Sequence, residues 1–342
     1  MLVIKWRDSL NFIRKLSFRK IWNATKVIGS FFLSSQMNRV IQWGLPFNIS
    51  IEPTTSCNLG CPECPSGLKS FTRDTGTLSV DFYNKFLHEV QKDLIYLYFY
   101  FQGEPYLHPD FLSLVKAASE KNIYTVTSTN AHFLSPRKAT ETIQSGLDRI
   151  LISIDGASQE TYESYRKGGK LAKVIEGTKN LVKAKSQLNS STPHIIIQFL
   201  VVKPNEHEIP EILQLGKDLG VDEVKLKTAQ VYDFKNGSEL IPSIEQYSRY
   251  RKNEDGSYRI KNKLENKCWK LWHSCVVTWD GNIVPCCFDK DAKYEMGSLQ
   301  THSFQSIWGN KNYKAFRGQL VNNRKSIDIC TNCTEGLKVW AE

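Results

Sequence analysis

The chain has 342 residues, 41% of them apolar and 23% charged, with a net charge of +10. This is the balance of an ordinary folded protein; it excludes a disordered or fibrous chain and leaves room for one large domain plus a smaller one. Nine cysteines are an odd number and fall in tight clusters, which argues against a disulfide framework and for metal ligation in a reducing compartment, the cytoplasm.

The charge is uneven. Residues 1–46 read as a basic helical extension, in which Lys5, Arg7, Arg14, Lys15, Arg19, Lys20, Lys26 and Arg39 face a single carboxylate, Asp8. Leu2, Trp6, Leu10 and Ile13 recur at helical spacing, and Phe31 to Leu33 form a short apolar run. Both are shorter than the roughly 20 apolar residues a bilayer span needs, and no signal-peptide cleavage pattern follows. Two readings stay open: a helix packed on the main domain with a solvated basic face, or a surface that docks onto anionic lipid, as a peripheral membrane contact, or onto an acidic substrate. Charge runs are usually solvated faces, which favours the first.

From residue 47, β-rich runs alternate with amphipathic stretches, the pattern of a parallel sheet built from βα units. Strands are expected at 47–52, 94–102, 124–128, 149–154, 194–202 and 223–227, and helices at 80–92 behind Ser79, 109–121, 135–145, 171–186 and 206–219. Near residue 230 the chain becomes richer in Gly, Pro, aromatic and Cys residues. The expected division is therefore 1–46, a main domain at 47–230, and a smaller irregular domain at 231–342.

Directly after the first strand come Cys57, Cys61 and Cys64, spaced C-x3-C-x2-C. Three thiolates on one loop can hold three irons of a [4Fe-4S] cluster and leave the fourth open. A structural zinc is the alternative, but zinc wants four ligands and the loop offers no local fourth. The loop resembles that of the radical S-adenosylmethionine (SAM) superfamily, which implies an α/β fold: a partial (β/α)6 TIM-like barrel carrying the N-terminal helical arm and a small C-terminal iron-sulfur domain. In such a barrel the chemistry sits after the C-terminal ends of the strands. There Gln102-Gly103-Glu104-Pro105 looks like the family's Gly-Gly-Glu-Pro motif, which binds the SAM ammonium. By the same resemblance Thr129, Asn130, Ser153, Asp155 and Gln198 become candidate SAM contacts, and Arg166 the partner of its carboxylate. Cap, turn or buried-amide roles compete for Ser153, Asp155 and Gln198. Glu63 stands where the family often has an aromatic residue.

A second set, Cys268, Cys286, Cys330 and Cys333, with the Gly281-x4-Cys286 hairpin and the closing C-x2-C, resembles the SPASM and twitch auxiliary-cluster domains. The resemblance implies one auxiliary [4Fe-4S] cluster on these four ligands, with Cys286 and Cys287 as competing choices for one of them. Cys275 and Cys287 are then spare: small buried hydrophobes, or donors of hydrogen to a substrate radical. The seven histidines show no paired spacing, and no Walker or dinucleotide motif appears.

The expected function is hydrogen abstraction from an unactivated C–H bond, with the auxiliary cluster accepting an electron. The net result is oxidation or bond formation on a sugar, cyclitol or peptide. Polar small substrates are favoured because 46 residues leave little room for a leader-binding module. Epimerisation with a cysteine hydrogen donor, peptide or protein maturation, and a non-catalytic iron-sulfur role are the alternatives. A flavodoxin or ferredoxin is the expected reductant, and no nucleic acid partner is expected.

Overall fold

The computed structural model describes residues 2–337, with side chains from Trp6 onward. The side chains of Leu2 and Lys5, and residues 338–342 of the expected C-terminal domain, lie outside that description. The chain opens with α1 (Leu2–Arg14) and α2 (Phe18–Met37). Strands β1 (Asn48–Ile51), β2 (Tyr96–Tyr98), β3 (Tyr124–Thr129), β4 (Arg149–Ser153), β5 (His194–Val201) and β6 (Glu223–Thr228) follow. Among them run α3 (Pro65–Leu68), α4 (Val80–Val90), α5 (Phe111–Ser119), α6 (Pro136–Gln144), α7 (Gln159–Tyr165), α8 (Leu171–Gln187) and α9 (Ile209–Leu219). Each neighbouring pair from β1 to β6 is parallel.

Side-chain alternation along the strands sorts the residues into two faces. Ile49, Leu97, Ile150, Ile152, Ile195 and Ile197 pack into the main core with the helices, each contributing about 1.5–3 kcal/mol by burial. Ser50, Tyr98, Leu151, Ile196, Gln198 and Lys225 line a cavity on the other face. Local chemistry fixes the helix ends: Ser79 and Ser135 accept from the third residue on, capping α4 and α6, and Gly220 in the left-handed region (φ +70°) closes α9. The second strand is shorter than its apolar run predicts, because the chain leaves the sheet to bring Gly103 and Glu104 under the cysteine loop.

The C-terminal segment is less irregular than expected. After the hairpin β7 (Tyr250–Lys252) and β8 (Tyr258–Ile260), α10 (Lys270–His273) leads into β9 (Ser274–Val277), which pairs parallel with β1. Strands β10 (Asn282–Val284) and β11 (Gly297–Ser298) then add antiparallel, giving one nine-stranded sheet. The β9–β10 turn needs Gly281 (φ +88°), where a Cβ would also strike the Phe82 ring at 2.8 Å. Helices α11 (Phe304–Trp308) and α12 (Lys311–Asn323) cover this extension.

The N-terminal arm packs on the main domain largely through polar residues, with Phe12 of α1 stacked 5.1 Å from Tyr96. Asp8 on α1 accepts from Tyr124 and Arg149, and Lys15 pairs with Asp148 at 2.5 Å. On α2, Lys20 donates to the Asn122 carbonyl at 2.6 Å, and Asn23 bonds both backbone groups of Leu45. Phe31 completes the contact by packing 5.2 Å from Trp269 near α10. The expected apolar contact face of Trp6, Leu10 and Ile13 points to solvent instead. Among the described residues no helix is long and apolar enough to cross a membrane.

His273 stacks on Phe47 at 5.4 Å and lies 4.5 Å from Trp269. Burial, with help from the Lys270 charge, pushes its pKa down to about 3. Below the ordinary value of about 6.5, the unfolded chain binds a proton that the folded chain refuses. Stability is therefore present above pH 6.5 and lost as pH falls toward 3. Denaturant titrations should show a loss of about 2 kcal/mol between pH 7 and pH 5, and His273→Phe, which keeps the stack, should flatten that slope.

Candidate active site

The cysteine loop between β1 and α3 is held from below by glycine contacts. A Cβ on Gly67 would lie 2.6 Å from the Cys61 amide nitrogen, and one on Gly103 (φ +75°) 2.1 Å from the Thr54 carbonyl. Only glycine allows those approaches. The Gly103 amide donates to Ser66 at 2.9 Å and the Glu104 amide to the Ser56 carbonyl at 2.8 Å. The Gln102 motif and the cysteine loop therefore form one unit, with Cys64 Sγ 3.8 Å from Gln102 Oε1. Burial pushes the Cys57 thiol up to about 11, and the neighbouring Glu104, Cys61 and Cys64 add to the rise.

Glu104 is fully buried, and its carboxylate accepts from Thr129 Oγ1 and the Asn130 amide, both at 2.7 Å, and from the Tyr106 amide at 3.2 Å. Burial raises its pKa against those bonds. Asn130 Nδ2 donates to Asn58 at 2.8 Å and lies 4.0 Å from Cys57 Sγ. Across the site, Arg166 donates through Nε to the buried Asp155 and places Nη1 3.8 Å from Cys61 Sγ. Burial opposes the Arg166 charge, but Asp155 and Cys61 hold it protonated. Asp155 takes a second bond from the Leu200 amide at 2.7 Å. Ser153 and Gln198 sit opposite each other on β4 and β5, and Gln198 borders the cavity.

Sequence reasoning missed several supports of this site. Asn58 and Ser66 lie within and just after the cysteine motif, and Asn205 ties the Asp155 and Leu200 carbonyls together. Glu63, at the position often aromatic in the resembling family, accepts from the Tyr232 amide at 2.9 Å and so fastens the cysteine loop to the chain after β6.

In the second set, Cys268, Cys330 and Cys333 are buried; after the larger effect of burial, Cys268 raises the pKa of Cys330 and Cys333, and Cys330 adds to the rise at Cys333. Burial pushes the Cys286 thiol pKa up, and the neighbouring Cys287, Cys333 and Cys268 add to the rise. Cys287 is exposed. A Cβ on Gly336 (φ +79°) would meet Cys268 Sγ at 2.4 Å. Arg324 is fully buried, bonds the Lys267 and Glu335 carbonyls, and leaves Nε without a partner beside Cys330. An unneutralised guanidinium among thiols suits an anionic iron-sulfur cluster. Cys275 borders the cavity and is buried, and burial pushes its thiol pKa up.

The cavity is about 670 Å³ and runs from Phe101 and Gln198 to Cys286, Cys287 and Glu335. Its wall mixes apolar side chains such as Phe101, Leu151 and Ile196 with charged or polar ones, Arg149, His194, Glu223, Lys225 and Lys270, and Asp8 of α1 reaches it. Among the described residues no three His, Cys, Asp or Glu side chains are arranged to hold a single metal ion. A cluster asks for a different geometry, because each thiolate binds a different iron.

Residues 51–224 match the model of the radical SAM superfamily. The chain belongs to that superfamily. Residues 268–334 match the SPASM iron-sulfur cluster-binding domain, so the radical SAM core carries a [4Fe-4S] cluster and SAM, and the SPASM segment provides auxiliary iron-sulfur binding. A Pyrococcus furiosus relative, the tungsten-containing aldehyde ferredoxin oxidoreductase cofactor-modifying protein, is 26% identical over 313 residues, which cover 83% of this chain and 86% of the relative. The PqqA peptide cyclase of Bradyrhizobium diazoefficiens is 25% identical over 311 residues, covering 84% and 79%. Among solved structures, Streptococcus suis SuiB bound to SAM aligns with a TM-score of 0.63 at 13% identity, covering 87% of this chain and 74% of SuiB. BtrN in complex with SAM and 2-DOIA gives 0.55 at 18% identity, covering 87% and 96%. These likenesses show that the radical SAM core here has the partial-barrel fold.

Proposed function

We propose that this radical SAM enzyme oxidises, or forms a bond at, an unactivated C–H position of a polar substrate, for which a peptide is the first choice. The single observation carrying the reading is the cavity, which reaches Gln198 and Phe101, the residue before the Gln102 motif, at one end and Cys286 at the other. A substrate held there lies beside the second cysteine set and next to the start of the Gln102 motif. The relatives favour a peptide, since one is a PqqA peptide cyclase and SuiB has been solved with its precursor peptide SuiA.

In this reading Cys57, Cys61 and Cys64 hold the first cluster, and Cys268, Cys286, Cys330 and Cys333 the auxiliary one, in the segment 231–342. The donor sets fit: soft thiols in both places, an open fourth position in the first, and a buried cation at the second. When bound, the first cluster and SAM supply one-electron cleavage of the sulfonium and abstraction of a hydrogen atom, while the auxiliary cluster accepts an electron. The chain's own residues position the reactants. Gly103 and Glu104 present backbone and carboxylate to the SAM ammonium, and Thr129 and the Asn130 amide hold Glu104 in place. Arg166 addresses the SAM carboxylate, and Asp155 orients it. Ser153 and Gln198 face the remainder of the cofactor. The reductant is a flavodoxin or ferredoxin of the cytoplasm.

Anaerobic reconstitution with SAM and dithionite is expected to yield 5′-deoxyadenosine; none from fully loaded protein would end the proposal. A second reading, epimerisation, rests on Cys287, which is exposed at the cavity. Product formed in deuterated water separates the two: oxidation places no solvent deuterium at the reacting carbon, whereas epimerisation places one.

A further inference from the structure

The two N-terminal helices are inside out by the usual rule. On α2 the inward positions are Lys20, Asn23, Ser30 and Ser34, all at most 4% exposed, apart from Val27 and Phe31. Large apolar side chains point outward: Trp6 is 65% exposed, Phe18 84% and Trp22 57%, with Leu10, Ile13 and Ile21 also exposed. An amphipathic helix ordinarily turns its apolar stripe toward the core. Here the polar stripe is satisfied by the Asn122 carbonyl and Asp148 of the main domain and by the Ile41 and Leu45 carbonyls of the segment that follows α2. The apolar stripe is left for something else.

Charge says what that is. Residues 9–46 contain no carboxylate, and Asp8 is turned inward against Arg149. Arg7, Arg14 and Arg39 are exposed on the same two-helix arm. At the α1–α2 turn lies a cleft of about 470 Å³ lined by Arg14, Arg19, Lys92 and Lys121, with Glu120 as its one carboxylate. Arg19 is already paired with Asp93; the other three bases are not paired with a carboxylate in the cleft. Pairing with a second copy of the same face would set Arg7 and Arg14 against like charges. An anionic surface is complementary to them.

We propose that α1 and α2 seat the protein on an anionic phospholipid bilayer. Trp6, Phe18 and Trp22 enter the headgroup boundary, where amphipathic aromatic rings are favoured, and the cleft at the turn takes lipid phosphates. The helices lie in the interface and do not span it.

Reconstituted full-length protein is sedimented with vesicles of phosphatidylcholine and phosphatidylglycerol in a roughly two-to-one ratio, and with phosphatidylcholine alone. Binding is expected on the anionic vesicles and should weaken with salt. Trp6→Ser/Phe18→Ser/Trp22→Ser should lower partitioning at least about tenfold while leaving the melting temperature and 5′-deoxyadenosine formation unchanged, since all three side chains are exposed. Lys92→Gln/Lys121→Gln should remove most of the preference for anionic over neutral vesicles. The proposal is overturned if wild type ignores the anionic vesicles, if the triple variant binds them as well as wild type, or if sedimentation equilibrium finds a dimer that the triple variant abolishes.

Discussion

Asp148→Ala should destabilise the fold by about 3–5 kcal/mol, the usual consequence of removing one partner of a buried ion pair. Asp148 lies just before β4, is 2% exposed, and accepts from Lys15 at 2.5 Å, Asn11 at 2.7 Å and the Thr125 amide at 2.7 Å. Alanine leaves the Lys15 ammonium, itself 11% exposed, and the Thr125 N–H without their acceptor. Lys15→Met in the same background should recover much of the loss, because an apolar replacement of both partners carries no stranded charge. The exposed pair Arg137–Glu141 on α6 is the control, and Glu141→Ala should leave the urea midpoint where it was. If Asp148→Ala moved the midpoint no further than that control, the arm would be a passive appendage.

How much of this was legible in the sequence depended on whether the signal was local. The C-x3-C-x2-C loop and Gly103-Glu104 are short-range patterns, and both stand where the residue types said they would. Thr129, Asn130, Ser153 and Asp155 lie far apart in sequence, yet one rule gathers them: parallel strands deliver their C-terminal ends to the same rim. What that rule could not give was the division of labour at the rim, where Thr129 holds Glu104 and Asp155 holds Arg166. Bonds between separate loops leave no spacing to read.

Strand β9 was invisible for a related reason. Its four residues, Ser274 to Val277, adjoin α10 and pair in parallel with β1, more than two hundred residues earlier; no local pattern encodes such a partner. The pairing with β1 also buries Cys275. For the arm, periodicity correctly grouped Trp6, Leu10 and Ile13 on one face. Periodicity says which residues share a face, not which face is buried, and the carbonyls of Asn122, Ile41 and Leu45 drew the polar stripe inward.

The largest loss of activity should come from Cys61→Ala, which takes one of three thiolates from the cluster expected to bear SAM. Formation of 5′-deoxyadenosine should fall to background. Cys286→Ala should act differently: iron should fall from about eight to about four atoms per chain, and product should vanish while some SAM cleavage persists. The distinction follows from placement, because Cys286 feels the charges of Cys333 and Cys268 in the second set, whereas Cys61 sits beside Arg166 in the first. Cys287→Ala should keep the full iron content, since Cys287 is exposed at the cavity and Cys286 is the half-buried neighbour that feels the charges of Cys268 and Cys333. Iron analysis and electron paramagnetic resonance of the three reduced variants separate the cases. Loss of the second cluster signal with Cys287→Ala, but not with Cys286→Ala, would exchange the roles of these two residues and remove the exposed thiol on which the epimerase reading rests.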